Sequence, residues 1–451
     1  MVCLDRTGYP PPLMTSTPGS FAEKTIRERK PQIIAEVAQA YPYPPEILSE
    51  LKAFAREIAS EPIRPLHEDA PDVDLWQEAW SEHEGHSWFD VPWYFAETYF
   101  YRRLMEVVRY YQPGPWFDVD PFAPQKAAAL EGALPAFAQC LDQPHSDAYT
   151  AFVLLLHEAL WGNRADLSNR TIAAMAEGTG TDPSADRLLI DDTARIWQHL
   201  NAHPGARVDI VADNSGLELL LDIRLAEFLV AHDLAEVRFH LKRMPFFVSD
   251  AMIRDFWHTL ACLETFEPIG KRMVRRMRET IDKGTVSLRD DPFWSTCLSY
   301  HQIPDRIDDD LSASHLVLFK GDVNYRRVLD DRQWPHTARL SDIAGHLPAP
   351  FGVLRTLKGE LIVGLAPGQA EELQAQDPRW MINGERGVIQ FVHTGRGGIG
   401  LQESSLAEST SSRGGLSRDL SLRPRDSSTP GQKASPTLGM TGPAIGEGRD
   451  G

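Results

Sequence analysis

Residues 207 to 222 read Arg-Val-Asp-Ile-Val-Ala-Asp-Asn-Ser-Gly-Leu-Glu-Leu-Leu-Leu-Asp. Val208 to Ala212 is a short apolar run that predicts a buried strand. Leu217, Leu220, Leu221 and Leu225 then share one face of a helix. Between them stand Asp213, Asn214, Ser215 and Gly216. Two oxygen-bearing side chains at a strand's end, then a Gly and a helix N-terminus, can hold a cation and an anion together. The same four residues also suit plain punctuation, since they cap helices and tolerate unusual backbone angles. The segments on either side weigh between the two.

Downstream, strand and helix alternate, the sign of a parallel sheet. Glu236 to Leu241 predicts a second strand, followed by a loop that reaches Asp250 and a helix from Ile253 to Leu263. The basic stretch Lys271 to Lys283 reads as a solvated helix face, and Pro304 to Asp310 as an acidic loop. His315 to Phe319 predicts a buried strand that stops at Lys320-Gly321-Asp322-Val323-Asn324-Tyr325 before a helix begins. Successive backbone N–H groups at such a turn point at an anion, and the Gly admits close approach. Phe351 to Leu354 predicts a further strand running into Arg355-Thr356-Leu357-Lys358, where Lys358 offers a point charge to a phosphate. Trp380 to Val392 reads as a hairpin or edge strand turning at Asn383-Gly384.

Four polar turns thus follow four strands. Ligands of open α/β sheets bind beyond the carboxyl ends of the strands, so all four turns belong on one edge. Asp213 and Asp250 side by side would repel, and one would take a proton unless a cation lay between them. Two carboxylates and an amide oxygen are hard ligands, suited to Mg, Mn or a similar ion. Glu218, in the first helical turn, has two readings: a catalytic acid or base, or a favourable charge at the helix's positive end. Asp250 is the other candidate base and Asp213 a candidate phosphoryl acceptor, so direct water attack and a phospho-aspartyl intermediate both remain open.

Upstream, residues 1 to 20 are rich in Pro, Thr and Ser and are expected to be flexible. From Phe21 to about Gly205 the periodicity is helical, with Ile33, Ile34, Val37 and Ala40 on one face. Aromatics crowd Trp76 to Tyr111, a density typical of core. Glu97, Arg102 and Arg103 within it read as a salt-bridged surface face. His157 and Glu158 are adjacent and face different ways, a poor metal pair. Asn163, Arg164 and Asp166 form a polar loop, either a helix cap or a pocket wall.

The chain of 451 residues carries 42% hydrophobic residues, including 11 Trp and 19 Phe, enough for large cores. Its formal charge of −18 argues against a nucleic-acid partner, which requires a basic face. A small anion remains admissible if a metal and local cations reverse the field. Four dispersed cysteines suggest neither a zinc ribbon nor a disulfide framework, so a reducing, cytoplasmic setting fits, with the nucleus not excluded. No apolar run long enough to span a membrane is present, and Tyr9-Pro10-Pro11-Pro12 interrupts any signal core. Residues 395 to 451 are Ser-, Gly-, Pro- and Arg-rich and are expected to be disordered.

Together, Asp-Asn-Ser-Gly-Leu-Glu at 213, the Val-Ser-Asp loop ending at Asp250, Gly-Asp-Val-Asn-Tyr-Arg-Arg at 321 and Arg-Thr-Leu-Lys at 355 resemble the metal-dependent damage-control phosphatases. The likeness is to the eukaryotic subfamily with an Arg-Thr-x-Lys motif that acts on sugar phosphates. Pro92-Trp93-Tyr94 with Glu97 and Arg102-Arg103, and residues 161 to 168, look similar as well. The resemblance spans roughly residues 20 to 393. It implies an α/β fold, with a helical N-terminal domain (21–205) and a three-layer α/β/α Rossmann-like domain (206–394) built on a mainly parallel sheet. Asp213, Asn214 and Asp250 would hold one divalent ion, with manganese, cobalt or nickel usual and magnesium admissible. Gly321, Asp322, Val323, Asn324, Tyr325 and Lys358, with Asp213 and Asn214, would bind the substrate, typically fructose 1-phosphate or fructose 6-phosphate. The alternative is a protein-glutamate O-methyltransferase using S-adenosylmethionine, an activity also attributed to this family. Against it, the turn after the first strand has the single glycine Gly216 where a glycine-rich cofactor loop is expected.

Overall fold

A computed structural model describes residues 7–138, 147–162 and 185–394. The loop with Asn163, Arg164 and Asp166 and the tail from 395 lie outside the described residues.

Seven strands form one sheet in the order β1-β7-β6-β5-β2-β3-β4. They are β1 (Leu188–Asp191), β2 (Ala206–Val211), β3 (Ala235–His240), β4 (Val286–Arg289), β5 (Leu316–Lys320), β6 (Phe351–Thr356) and β7 (Gly387–Val392). The run from β4 through β3, β2 and β5 to β6 is parallel; β7 lies antiparallel to β6, and β1 pairs parallel with β7. The chain therefore reverses its building direction between β2 and β5, where an open sheet has its crevice. Among the described residues no helix is long and apolar enough to cross a membrane.

Every residue of β5 is buried. Leu316 and Leu318 point into one core, which includes helices Ala148–Trp161 and Leu217–Ala231. Val317 and Phe319 point into the other, with Tyr300, Ile343 and Trp380. That two-sided burial explains the unbroken apolar run. Each such side chain contributes ~1.5–3 kcal/mol over an exposed one. The result is a mainly parallel sheet covered on both faces by helices, preceded by a helical region.

The helical region has its own core, from Ile26 to Phe122, joined by Met244 and Phe246 of the loop after β3. That loop turns back through Phe247 and Val248, both at positive φ (44° and 66°), to deliver Asp250 to the sheet edge.

Several expectations change. β4 and β1 have only four residues each, and both lie at sheet edges. β1 sits upstream of residue 206 yet belongs to the sheet. No hairpin turns at Asn383-Gly384: Trp380 is buried in a loop, and β7 begins only at Gly387, between β6 and β1. The Pro-rich start is not loose over its described part. Leu13 is buried, its N–H donates to Asp331 O (3.0 Å), and its carbonyl accepts from Trp93 N–H (2.7 Å). Proline bars a helix there but allows this extended pairing.

Glu97, Arg102 and Arg103 are not on a surface. Nearly all of helix Trp93–Val107 is buried. Arg102 pairs with Glu68 and Asp72, Arg103 with Glu57 and Glu106, and Glu97 with Lys30. Glu158 pairs with Arg224 at 2.7 Å, which accounts for its charge inside an apolar helix.

Candidate active site

The turns after β2 and β3 are stitched together. Asn214 and Asp250 form an isolated antiparallel bridge. Ala251 N–H donates to Asp213 O (2.8 Å), and Ser215 N–H to Ser249 O (2.7 Å). Asp213 and Asp250 are thereby neighbours, and both are buried.

Gly321 closes the crevice from β5. It holds φ +80°, and a Cβ there would lie 1.9 Å from Asp213 Oδ2. Only glycine lets the backbone lie against that carboxylate. The residue supplies both the backbone angle and the space.

The carboxylates are poorly satisfied by protein groups. Asp213 Oδ1 and Asp250 Oδ1 have no hydrogen-bond partner among the described residues. Asp250 Oδ2 faces Lys242 Nζ at 3.1 Å. Burial pushes the Asp213 carboxyl well above the usual range, and the charges of Glu218 and Asp250 add to it; Lys242 and Lys358 oppose. Burial also raises Asp250, against Lys242 and Lys126. Buried carboxylate oxygens that no protein group satisfies are suited to a cation, whose charge would offset their mutual repulsion.

Among the described residues no group of three His, Cys, Asp or Glu side chains could hold a metal by itself. A metal at the two aspartates would take the adjacent Asn214 amide as a further ligand. Its Oδ1 accepts from Ser249 Oγ (2.5 Å), while its Nδ2 donates to Asp213 Oδ2 (2.7 Å) and Glu218 Oε2 (2.9 Å). The Ser249 hydroxyl both donates and accepts, so it pairs with either end of the amide. Asn214, with Asp213 and Asp250, would hold such an ion through its amide oxygen. The donor set thus fits a hard divalent ion.

Glu218 is buried, held by Asn214 and, at 3.4 Å, by Lys320 Nζ. Lys320 also donates to Asp222 Oδ1 (2.7 Å) and Ala159 O (2.6 Å). Lys358 is half-buried on the loop after β6, and its charge acts on Asp213.

The 321–325 segment divides. Asn324 donates to Lys320 O (2.7 Å) and accepts from Tyr300 OH (2.7 Å), so it clamps the turn. Tyr325 OH donates to Gln390 Oε1 (3.1 Å) and accepts from Val363 N–H (3.1 Å). Val323 packs with Leu13, Ala22, Trp93 and Tyr94. Asp322 is bound by Arg326 (2.7 Å) and Arg355 (2.6 Å), which hold it below the usual carboxylate range although burial works the other way. The polar groups of Asp322, Asn324 and Tyr325 thus have protein partners, and Val323 packs among apolar side chains, so these four side chains hold the turn in shape. What the turn offers an anion is the backbone N–H groups of its first helical turn.

Lys242, Lys320 and Asp222 join the site only through the fold. The one signal in the sequence is Asp222 lying four residues after Glu218, on the same helix face.

The profile of the Damage-control phosphatase ARMT1-like domain matches residues 25–373. The chain belongs to this damage-control phosphatase family. Curated relatives named Damage-control phosphatase ARMT1 are 33% identical in Danio rerio, covering 86% of this chain and 98% of the relative. In Mus musculus the identity is 34% and in Homo sapiens 33%, each covering 83% of this chain and 96% of the relative. A DUF89 family protein from Pyrococcus horikoshii aligns at TM-score 0.45 and 12% identity, over 81% of this chain and 96% of its own. Membership makes this chain an enzyme of the phosphoric monoester hydrolase class, with a place in metabolite damage control.

Proposed function

We propose that the chain is a metal-dependent phosphatase of sugar phosphates such as fructose 1-phosphate and fructose 6-phosphate. The observation that carries this reading is the pair of buried, partnerless Asp213 and Asp250 oxygens beside the Gly321 turn and Lys358. Asp213, Asn214 and Asp250 would hold manganese, cobalt, nickel or magnesium. When bound, such an ion offsets the negative charge of the phosphoryl oxygens.

The chain's own groups supply the rest. Backbone N–H groups at 321–323 and the Lys358 ammonium bind the remaining phosphoryl oxygens. Glu218, not itself in the metal set, takes a proton from the attacking water. The water oxygen bonds to phosphorus, the bond from phosphorus to the sugar oxygen breaks, and that oxygen gains a proton from solvent. Lys320, anchored by Asp222, keeps the Glu218 carboxylate in position. A reducing cytoplasmic or nuclear setting fits the dispersed cysteines. The relatives' names speak of phosphatases and lend no support to methyl transfer.

A metal-by-substrate screen tests the proposal. Chelation should abolish hydrolysis of fructose 1-phosphate, and manganese, cobalt or nickel should restore it. Undiminished hydrolysis in chelator rules the reading out. Lys358→Ala should raise KM by roughly tenfold with a smaller change in kcat, as loss of a phosphate contact already made in the ground state. Unchanged kinetics would dismiss Lys358 from the site.

A further inference from the structure

One face of the first long helical stretch is unusual in what it leaves open. Phe21, Lys24, Thr25, Glu28, Arg29, Gln32, Ile33 and Glu36 recur at helical spacing, and all of them line a cleft of about 570 Å³. The opposite wall is Gln125, Val248, Glu360 and Ile382. Val248 stands two residues before Asp250, and Glu360 two after Lys358, so two of the active-site loops form that wall. Phe21 N–H donates to Glu360 Oε1 (3.4 Å) across it. Tyr101 packs between the two regions: its ring lies 5.2 Å from Phe247, on the loop that carries Asp250, and 4.5 Å from Lys30 Nζ of the helical stretch.

The lining has a chemical signature. Phe21, Ile33, Val248 and Ile382 give apolar patches, while the exposed Gln32 and Gln125 both donate and accept. Three carboxylates, Glu28, Glu36 and Glu360, outnumber the two cations Lys24 and Arg29. The volume lies within the range of small-molecule sites, roughly 300–1,000 Å³. Mixed donors and acceptors over apolar patches suit a neutral polyol. The carboxylate excess disfavours a second phosphate.

We propose that this cleft receives the uncharged, polyhydroxylated body of a sugar monophosphate, and that Glu28 and Glu36 discriminate against bisphosphates. The inference rests on the phosphatase reading above and extends it to a specificity-determining subsite on the helical region.

The holoenzyme with manganese is assayed on three probes: a hexose monophosphate, the corresponding hexose bisphosphate, and phenyl phosphate, which has no polyol. Gln32 is exposed, so Gln32→Trp obstructs the cleft without entering the core. It should lower kcat/KM for the hexose monophosphate about tenfold more than for phenyl phosphate. The double variant Glu28→Lys/Glu36→Lys, also at exposed positions, should raise the ratio of bisphosphate to monophosphate kcat/KM by roughly threefold or more at low salt, where surface charge acts. If both variants shift all three probes equally, or not at all, the cleft is not the subsite, although the phosphatase reading stands. If the unaltered enzyme hydrolyses none of the probes, both readings fall together. Unfolding temperatures of the variants close to that of the parent keep the comparison a test of the cleft.

Discussion

Gly321→Ala should abolish most activity while leaving a folded protein. A methyl at this position meets Asp213 Oδ2 at 1.9 Å and the carboxyl carbon at 2.2 Å. Those atoms belong to a side chain in the proposed metal set, so relief comes by moving either Asp213 or the turn that carries the amides. A misplacement of about 1 Å at a reacting centre costs ~100-fold. Both routes displace such groups, so kcat/KM is expected to fall at least that far. The φ of +80° adds a strain of ~1–3 kcal/mol, which lowers the unfolding temperature by several degrees. Circular dichroism should otherwise be unchanged. A Gly321→Ala enzyme with parental kinetics would show that Asp213 and this turn do not act as one site.

The second large effect is a separation of stability from activity at Asp213. This carboxyl is buried, and that burial, with the charges of Glu218 and Asp250, raises it well above its usual value. The folded state therefore holds its proton more tightly than the unfolded chain does. The stabilisation this supplies is complete below the ordinary value of 3.8 and is lost as pH rises through the folded-state value. At neutral pH the group works against folding until a cation binds. Asp213→Asn removes the charge but keeps an oxygen for Asn214 Nδ2, which now reaches Asp213 Oδ2 at 2.7 Å. Metal-stripped Asp213→Asn should thus unfold a few degrees higher than the metal-stripped parent at pH 7, from a gain on the order of 1 kcal/mol, with a flatter dependence on pH. Its activity should drop by ~1,000-fold or more, since several kcal/mol of transition-state stabilisation goes with the ion. Scanning calorimetry and steady-state kinetics measure the two. A variant both less stable and fully active would contradict both halves.

The same physics explains what could be read in advance. β5 was legible because a strand buried on both faces leaves an unbroken apolar run, and β2 and β3 because polar turns cut them off. β1 and β4 were not: four residues such as Val286-Ser287-Leu288-Arg289 at a sheet edge carry too little pattern. In the site, Asp213, Asp250, Gly321 and Lys358 stood out as polar or Gly residues just beyond strand ends, and the parallel topology brings their turns to one edge. Asn324 carries the same signal and clamps the turn. An amide that faces a ligand and one that holds Lys320 O look identical in sequence. Lys242 and Lys320 were invisible for the complementary reason. Their importance lies in ion pairs with Asp250 and Asp222, partners fixed only by the fold. The buried pairs of Arg102 and Arg103 look like surface pairs in sequence because charge spacing on a helix is the same whichever way the helix faces.

One divalent ion caged by the turns after β2 and β3 should be visible in equilibrium metal binding. Chelator-stripped protein titrated with manganese in a calorimeter should bind one ion per chain, with that binding lost in Asp213→Asn and Asp250→Ala and weakened in Gly321→Ala. Stoichiometric binding that survives in both aspartate variants, or hydrolysis by a parent chain that binds no ion, would contradict it.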